Sequence, residues 1–464
     1  MERFEVILDQ INGFLWGPPL MVLMIVGGFY LSVRTNFMQV TKFGHYMDKT
    51  IISLFRKSEK NDNAKGDISP FQALNTAMSA TMGVGTLAGT ATAIAMGGPG
   101  AIFWMWVVAF FGITTKFSEI TLAMHYRYKN DKGEWVGGPM IYIERGLKQK
   151  WLAKFFAIAG AIAAFGIGNM VQANTAASAM ERAFGIPPLY SGIGAAILIG
   201  LVLLGGIKRI GYVAEKIIPT LGLMCIISCL IIVMTNATHV PSAFGLIFGG
   251  AFTFQGAMGG FAGASVMIAL RMGLARGIFS NEAGLGSGPI AHATAKADHP
   301  AKQGFWGSFE VFLDTHVMCT LVALTILTTG VWHNGSTGAT LVMSAFAESF
   351  MGETIGNSFI AFLIATFGFT TILGWGFYGE KCLEYLFGTK TNMPYRIIFL
   401  PVIIVGAVGG LNIIWTIADI MNAAMAIPNI ISVVAMGGMV SKLTKGYFAG
   451  EAYMSYEEER IRDN

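Results

Sequence analysis

The chain has 464 residues, of which 54% are hydrophobic and 12% charged, and its mean hydropathy is +0.58. A soluble domain of this length carries about twice that share of charge, so the composition excludes an ordinary water-soluble fold and places the chain in a lipid bilayer. The formal net charge of +4 does not imply a nucleic-acid partner, because the basic residues sit in short segments between apolar runs, where membrane orientation accounts for them.

Met1 to Trp16 mixes acidic and apolar residues. It lacks the basic start, continuous apolar core and small-residue cleavage site of a secretory leader, so the first helix is expected to be retained. Apolar runs bounded by charge, glycine and proline then predict eleven helices: 18–34, 69–96, 101–126, 153–184, 188–206, 212–235, 244–271, 304–332, 356–380, 395–410 and 412–441. Ile68 to Thr115 and Ile217 to Leu270 contain no Asp, Glu, Lys or Arg, and each is long enough to cross hydrocarbon about twice at roughly 20 residues per crossing. Pro428 is expected to kink the last span or divide it, since proline lacks a donor and clashes with the preceding turn. The four cysteines, Cys225, Cys229, Cys319 and Cys382, lie in or beside apolar stretches without a paired Cys-x-x-Cys and read as small core residues. No G-x-x-x-x-G-K-[ST] run occurs, which removes the usual phosphate cradle of ATP-driven transport from this chain.

Cytoplasmic loops retain Lys and Arg, whereas exported ones lose them. With the N-terminus outside, eleven spans place 28 of the 31 basic residues in six cytoplasmic segments: 34–68, 127–154, 208–216, 271–302, 381–396 and 442–464. The segments 185–190, 236–243 and 333–355 then lie outside and carry no Lys or Arg. An odd number of spans with a cytoplasmic C-terminus follows.

Two spans are interrupted by glycine half-way along. Span 69–96 carries Gly83, Gly85 and Gly89, and span 244–271 carries Gly256, Gly259, Gly260 and Gly263. Glycine also serves close helix packing, but clusters at corresponding depths of oppositely directed spans fit the broken helices of inverted-repeat transporters. The expected architecture is all-α, with five-helix blocks 69–235 and 244–441 of opposite topology, an extra helix 18–34 ahead of them and a tail at 442–464. Unwound backbone at membrane depth is tolerated only where protein or a watery cavity satisfies it, so the paired breaks imply a cavity.

A half-helix starting after a break directs N–H groups at that cavity and suits a carboxylate, while freed carbonyls suit a small hard cation. Thr81 and Thr86 flank the first break, as donors or as hydroxyls bonded back to their own helix. Asn169, Gln172, Asn174 and Thr175 cluster in an otherwise apolar span, read either as a ligand-facing set or as interhelical hydrogen bonds. Thr370 and Thr371 offer oxygens that Na⁺ accepts, and Trp375 offers a face that closes over a small side chain. Glu119 with Lys116 reads as an i, i+3 pair, and Glu310 with Asp314 as low-lying acids of span 304–332, all four in structural or gating roles. Asp419 is a candidate cap or gate, and the histidines show no metal-ligand spacing.

Three runs, Gly97 to Trp106 (GGPGAIFWMW), Ser280 to His292 (SNEAGLGSGPIAH) and Leu373 to Glu380 (LGWGFYGE), resemble those of the alanine or glycine:cation symporter family. The resemblance spans nearly the whole chain. It implies a leucine-transporter-like five-plus-five fold, Na⁺-coupled uptake of alanine or glycine (H⁺ in some members) and the cytoplasmic membrane of a prokaryote, with no permanently bound cofactor. It also implies a substrate site lined by Thr81, the Gly83 to Thr86 backbone, Gln172, Asn174 and Trp375, and Na⁺ held by Thr370 and Thr371 beside carbonyls near Met82 and Gly83. Asn169 and the second-break glycines Gly259 and Gly260 complete the candidate site. The chain departs from the usual family pattern at Thr86 (Asn), Gly288 (Ala) and Gly376–Phe377 (Ser-Tyr), and a hydroxyl in place of an amide at Thr86 changes what the first break can bind. The competing readings are proton-coupled symport, a channel and an intramembrane enzyme; the last would need a nucleophile, base or metal set at one depth, and none is found.

Overall fold

The computed structural model describes residues 2–56, 64–252, 262–349, 351–409 and 412–463. Helices α1 (Glu2–Leu15) and α2 (Pro18–Arg34) open the chain, and the short α3 (Met38–Thr41) and α4 (Phe43–Lys49) follow. Helix α5 (Pro70–Thr81) has a reciprocal cap, in which Ser69 Oγ accepts from the Gln72 N–H and Gln72 Oε1 accepts from the Ser69 N–H, both at 3.0 Å. Pro70 takes the first helical position, where its missing donor costs nothing. The helix stops at Met82 (ψ 84°), and the chain resumes as a π turn, Gly85–Gly89, and α6 (Thr90–Gly97). This is the first predicted break.

Helix α7 (Ala101–Tyr126) leads into the antiparallel hairpin β1 (Tyr128–Lys129) and β2 (Trp135–Val136), with Tyr128 opposite Val136, and then to α8 (Pro139–Arg145). The next crossing joins α9 (Lys150–Phe165) to α10 (Gln172–Phe184) through a π segment, Gly166–Val171; α11 (Pro188–Leu203), α12 (Gly206–Thr235) and α13 (Val240–Phe252) follow. Helix α14 (Ala262–Asn281) is separated from the short α15 (Gly288–His292) by six non-helical residues, and α16 (Pro300–Val311) continues through the π segment Phe312–Cys319 into α17 (Thr320–Thr328). The chain closes with α18 (Gly338–Ala347), α19 (Gly352–Phe387), α20 (Asn392–Val408), α21 (Asn412–Ala435), α22 (Gly437–Ala449) and α23 (Tyr456–Asp463).

Eight of the eleven predicted spans coincide with helices long and apolar enough to cross a membrane. The other three are the interrupted α5–α6, the 16-residue α11 and the segment 244–271. Leu198, Leu201, Leu223 and Ile397 are each more than half exposed, which suits a surface bathed in lipid. The four cysteines are buried and unpaired, as their apolar surroundings predict.

The structure corrects several boundaries. Residues 253–261, which hold most of the second predicted glycine run including Gly256, Gly259 and Gly260, lie outside the described residues, and the helix beyond them runs on to Asn281 rather than ending at 271. An interruption that was not predicted follows it at 282–287, where Glu282 (φ 54°), Gly284 (φ 91°) and Gly286 (φ 83°) all take left-handed backbone. Glycine adopts that region freely, whereas a glutamate there is uncommon and marks a site held by its surroundings. Arg271 and Arg276 therefore lie within a helix, not in a loop past its end. Helix α21 passes unbroken through Pro428, and the division comes after Ala435, before α22. The segment 442–464 is not a loose tail, because it contains most of α22 and all of α23, with Glu457 paired to Arg145 and Glu458 to Lys65.

Tyr453 contacts both His299, just before α16, and His125, near the end of α7. That end of the bundle also carries the 128–136 hairpin, and the 331–337 loop after α17 lies at the other end. Lys132→Cys and Ser336→Cys are therefore expected to react with a membrane-impermeant thiol reagent from opposite sides, over a silent background of buried native thiols. Labelling of both positions in intact cells would contradict this arrangement.

Candidate functional site

The two interruptions face each other. A small cavity between them is walled by Thr81 and Gly85 of the first, Phe279 and Glu282 at the second, Gln172 of α10 and Trp375 of α19, with Asn422 of α21 closing one side. Its volume is about 10 Å³, room for about one water, so the structure is closed around the site. Trp375, 1% exposed, supplies the plug. It fits because residue 168 is glycine: a Cβ there would lie 2.3 Å from the Trp375 Cβ. Its indole N–H donates to Glu282 Oε1 at 3.1 Å, and Ser287 donates to Glu282 Oε2. Helix α19 extends to Phe387, and the length of this 36-residue helix, about 54 Å at 1.5 Å per residue, leaves Trp375 within the membrane rather than at its edge.

The predicted amide cluster divides. Gln172 lines the cavity with its Oε1 buried and unpartnered. Asn174 turns away and donates to the carbonyls of Gly406 and Gly409 (3.2 and 3.4 Å), because two residues along a helix are about 200° apart. Asn169 donates to Phe399 O at 2.8 Å, leaving its own Oδ1 without a partner, and Thr175 bonds back to Val171 O. Asn422, which no sequence pattern singled out, has both amide atoms buried and unpartnered at the cavity wall. A buried amide atom without a partner costs about 1–3 kcal/mol, so Gln172 and Asn422 are the groups with most to gain from a polar ligand.

The hydroxyl pair sits where a cation can reach freed backbone. Thr370 and Thr371 are buried, and each donates to Phe367 O at 2.9 Å, leaving hydroxyl lone pairs available. Thr371 Oγ1 lies so near the first interruption that a Cβ on Gly83 would come within 2.4 Å of it. Thr86 does not face this pair: its hydroxyl donates to Asp314 Oδ1 at 2.7 Å, while Ser280 and Thr315 donate to Oδ2 at 2.7 and 3.0 Å. Asp314, expected low in its span, is thus fully buried at the depth of both interruptions. Two π segments meet here, carrying Thr86 and Asp314, and such wide turns recur at functional sites.

Lys116 pairs not with Glu119 but with Glu310, at 3.3 Å, both fully buried. Its ammonium also donates to the carbonyl of Asn281, the last residue of α14, at 3.1 Å. Gln303 Nε2 bonds His292 Nδ1 at 2.7 Å, which leaves His292 Nε2 to donate to Glu310 Oε2 at 3.1 Å. Asn429 donates to Gly284 O at 2.8 Å and to Glu119, and accepts from Tyr142. Lys116 and Asn429 thereby satisfy one carbonyl at the start of the second interruption and one within it. Gly288 makes room for the lysine, since a Cβ there would lie 2.8 Å from its Nζ. Glu282 and this network were missed because the run Asn281 to Pro289, with glycines at 284, 286 and 288 before a proline, was used for its resemblance and not read as a break.

The sodium:alanine symporter family model matches residues 1–460. A sodium/alanine symporter of Methanococcus maripaludis is 44% identical over 452 residues, covering 96% of this chain and 97% of that protein. An uncharacterised transporter of Haemophilus influenzae is 43% identical, covering 98% and 99%. Among solved structures, MhsT in complex with L-phenylalanine superposes with a TM-score of 0.56 at 14% identity over 82% of this chain and 90% of that one, a likeness of fold.

Breaking the buried ion pair from one side strands a charge, typically at a cost of about 3–5 kcal/mol, whereas removing both partners is far milder. Lys116→Met is therefore expected to lower thermal stability in detergent sharply, and Lys116→Met with Glu310→Gln to recover much of the loss. An unchanged melting temperature in the single variant would show that the pair does not support the second interruption.

Proposed function

The chain belongs to the sodium:alanine symporter family, and we propose that it couples Na⁺ entry to uptake of a small neutral amino acid, alanine or glycine, by alternating access. It is a multi-pass membrane transporter and not an enzyme, with a leucine-transporter-like fold. The observation that carries the substrate reading is the cavity between the interruptions, where Gln172 and Asn422 hold unpartnered amide atoms and Glu282 presents a carboxylate. In this reading the substrate carboxylate meets the N–H groups that open the half-helix from Gly83 to Thr86, and its ammonium meets Glu282 and Gln172 Oε1. Trp375 leaves space for no more than a small side chain once the site opens.

Na⁺ is assigned to Thr370 and Thr371 with carbonyls near Met82 and Gly83, since a hard cation needs several oxygens at once. The proposed organisation is an extra helix, 18–34, followed by inverted halves 69–235 and 244–441, in the cytoplasmic membrane of a prokaryote with the N-terminus outside. Ser336 then faces outward and Lys132 the cytoplasm. A second reading, proton coupling, is favoured by Asp314, a buried carboxylate whose hydrogen-bond donors among the described residues are the hydroxyls of Thr86, Ser280 and Thr315.

Proteoliposome uptake of labelled alanine, with Na⁺ and pH gradients imposed separately, tests the proposal. Uptake is expected to follow Na⁺; uptake that ignores Na⁺ and follows the proton gradient would transfer the coupling role to Asp314. Thr370→Val with Thr371→Val should raise the Na⁺ concentration for half-maximal uptake, with less effect at saturating Na⁺.

Gln172→Ala should weaken alanine binding by about 1–3 kcal/mol, the cost of losing one buried partner. Unchanged affinity in folded protein would return Gln172 to a packing role.

A further inference from the structure

The end of the bundle that carries the 128–136 hairpin also holds a cavity of about 450 Å³, set between the loop after α2 and helix α22 and within the roughly 300–1,000 Å³ of typical ligand sites. Arg34, Lys42 and Lys445 line it together with Asn36, Thr444 and Phe448, and among the described residues no carboxylate is part of its wall. Behind it, His45 of α4 bonds the Tyr447 hydroxyl at 3.1 Å, and the Tyr447 ring packs on His299 at 5.1 Å.

The three cations converge without a counter-ion. Elsewhere at this end basic side chains are paired, Arg145 with Glu457, Lys65 with Glu458 and Lys302 with Asp298. Among the described residues Arg34, Lys42 and Lys445 form no ion pair. Like charges gathered in one cavity repel, and an anion bonded to them jointly removes that repulsion. Lys42 is held in the wall by Phe448, whose ring centre lies 4.5 Å from its ammonium. Arg34 stays against α22 because residue 438 is glycine: a Cβ there would lie 3.3 Å from the Arg34 Nη2. Ser441 Oγ donates to Arg34 O at 2.9 Å, which fastens the end of α2 to the same helix.

The cavity is continuous with a lipid-facing surface. Val22, Val26, Phe29 and Val33 of α2 are each half or more exposed, and their spacing of four, three and four residues places them on one face of the helix. Val33, the last of them, is also part of the cavity wall. An apolar track along a helix of membrane-spanning length thus ends at three unpaired cations, an arrangement that suits a molecule with acyl chains and an anionic head.

We propose that this cavity binds the phosphodiester headgroup of an anionic phospholipid, its phosphate oxygens bonded by Arg34, Lys42 and Lys445 and its acyl chains lying along α2. The lipid clamps together helices from the two ends of the chain, α2 and α22. The inference needs only membrane residence and is independent of the transported substrate.

Purified full chain, delipidated in detergent, is given phosphatidylglycerol, phosphatidylcholine or inorganic phosphate; bound lipid is counted by native mass spectrometry and stability followed by thermal melting. Phosphatidylglycerol alone is expected to bind tightly, at one molecule per chain, and to raise the melting temperature. Arg34→Gln with Lys445→Gln should weaken that binding about 25-fold, at roughly fivefold for each basic residue beside an anionic headgroup. Lys132→Gln with Lys390→Gln removes the same charge from exposed positions at the same end and should leave binding unchanged. Arg34→Lys with Lys445→Arg keeps the charge and should retain binding, which separates loss of charge from a folding defect. Equal weakening in both neutralised variants, or binding that does not distinguish phosphatidylglycerol from phosphatidylcholine, overturns the site as non-specific attraction. A melting temperature raised as far by inorganic phosphate overturns the lipid and assigns the cavity to a free anion.

Discussion

A backbone that leaves the helix inside hydrocarbon finds no water to bond to, so neighbouring side chains must supply each freed carbonyl with a donor. Much of the interior follows from that constraint at 282–287. The Asn281 carbonyl is met by Lys116, and the Gly284 carbonyl by Asn429. A fully buried ammonium cannot stand alone, so Glu310 lies beside it, and His292 and Gln303 complete the bonding of Glu310. One lysine used to hold an interrupted helix thus commits four helical elements, α7, α14, α15 and α16, to a single arrangement.

The first interruption meets the same constraint without a basic residue. The Thr86 hydroxyl lies 3.3 Å from the Thr81 carbonyl as well as 2.7 Å from Asp314, and Gly83 lies against the Thr371 hydroxyl. The two interruptions therefore differ in character, one lined by hydroxyls and carbonyls and the other by Glu282 in strained backbone. That difference is what the proposed symport of a zwitterion with a cation calls for, since the two ends of a zwitterion carry opposite charge. Trp375 joins the two, because its ring fills the space between them and its N–H reaches Glu282.

Much of this was legible in the amino-acid order. Bilayer thickness makes span length and hydropathy readable, and eight predicted spans reappear as long apolar helices. The Gly83 and Gly85 break reappears where α5 ends at Met82; Thr371 lies against Gly83, and Gln172 and Trp375 share a cavity with Thr81 and Gly85, an arrangement that the family resemblance implied and periodicity alone did not. The interruption at 282–287 was less legible, because glycine serves packing and unwinding alike; the run at 255–263 lies mostly outside the described residues. Asn174 was assigned to the site with Gln172, although helical rotation directs it to α20.

Hydrophobicity and local propensity are summed along the chain, so the sequence by itself determined membrane residence, the approximate limits of eight long apolar helices and the first broken helix. Which side chains share a cavity depends on helix rotation and on neighbours hundreds of residues apart. Tertiary structure alone paired Lys116 with Glu310 instead of Glu119, brought Asn422 and Glu282 to the site, and placed Asn12 and Trp16 against Asp419. Local periodicity constrains the face a residue occupies but not the helix that face will meet, and in a bundle the partner decides whether a polar group binds a ligand or a neighbouring carbonyl.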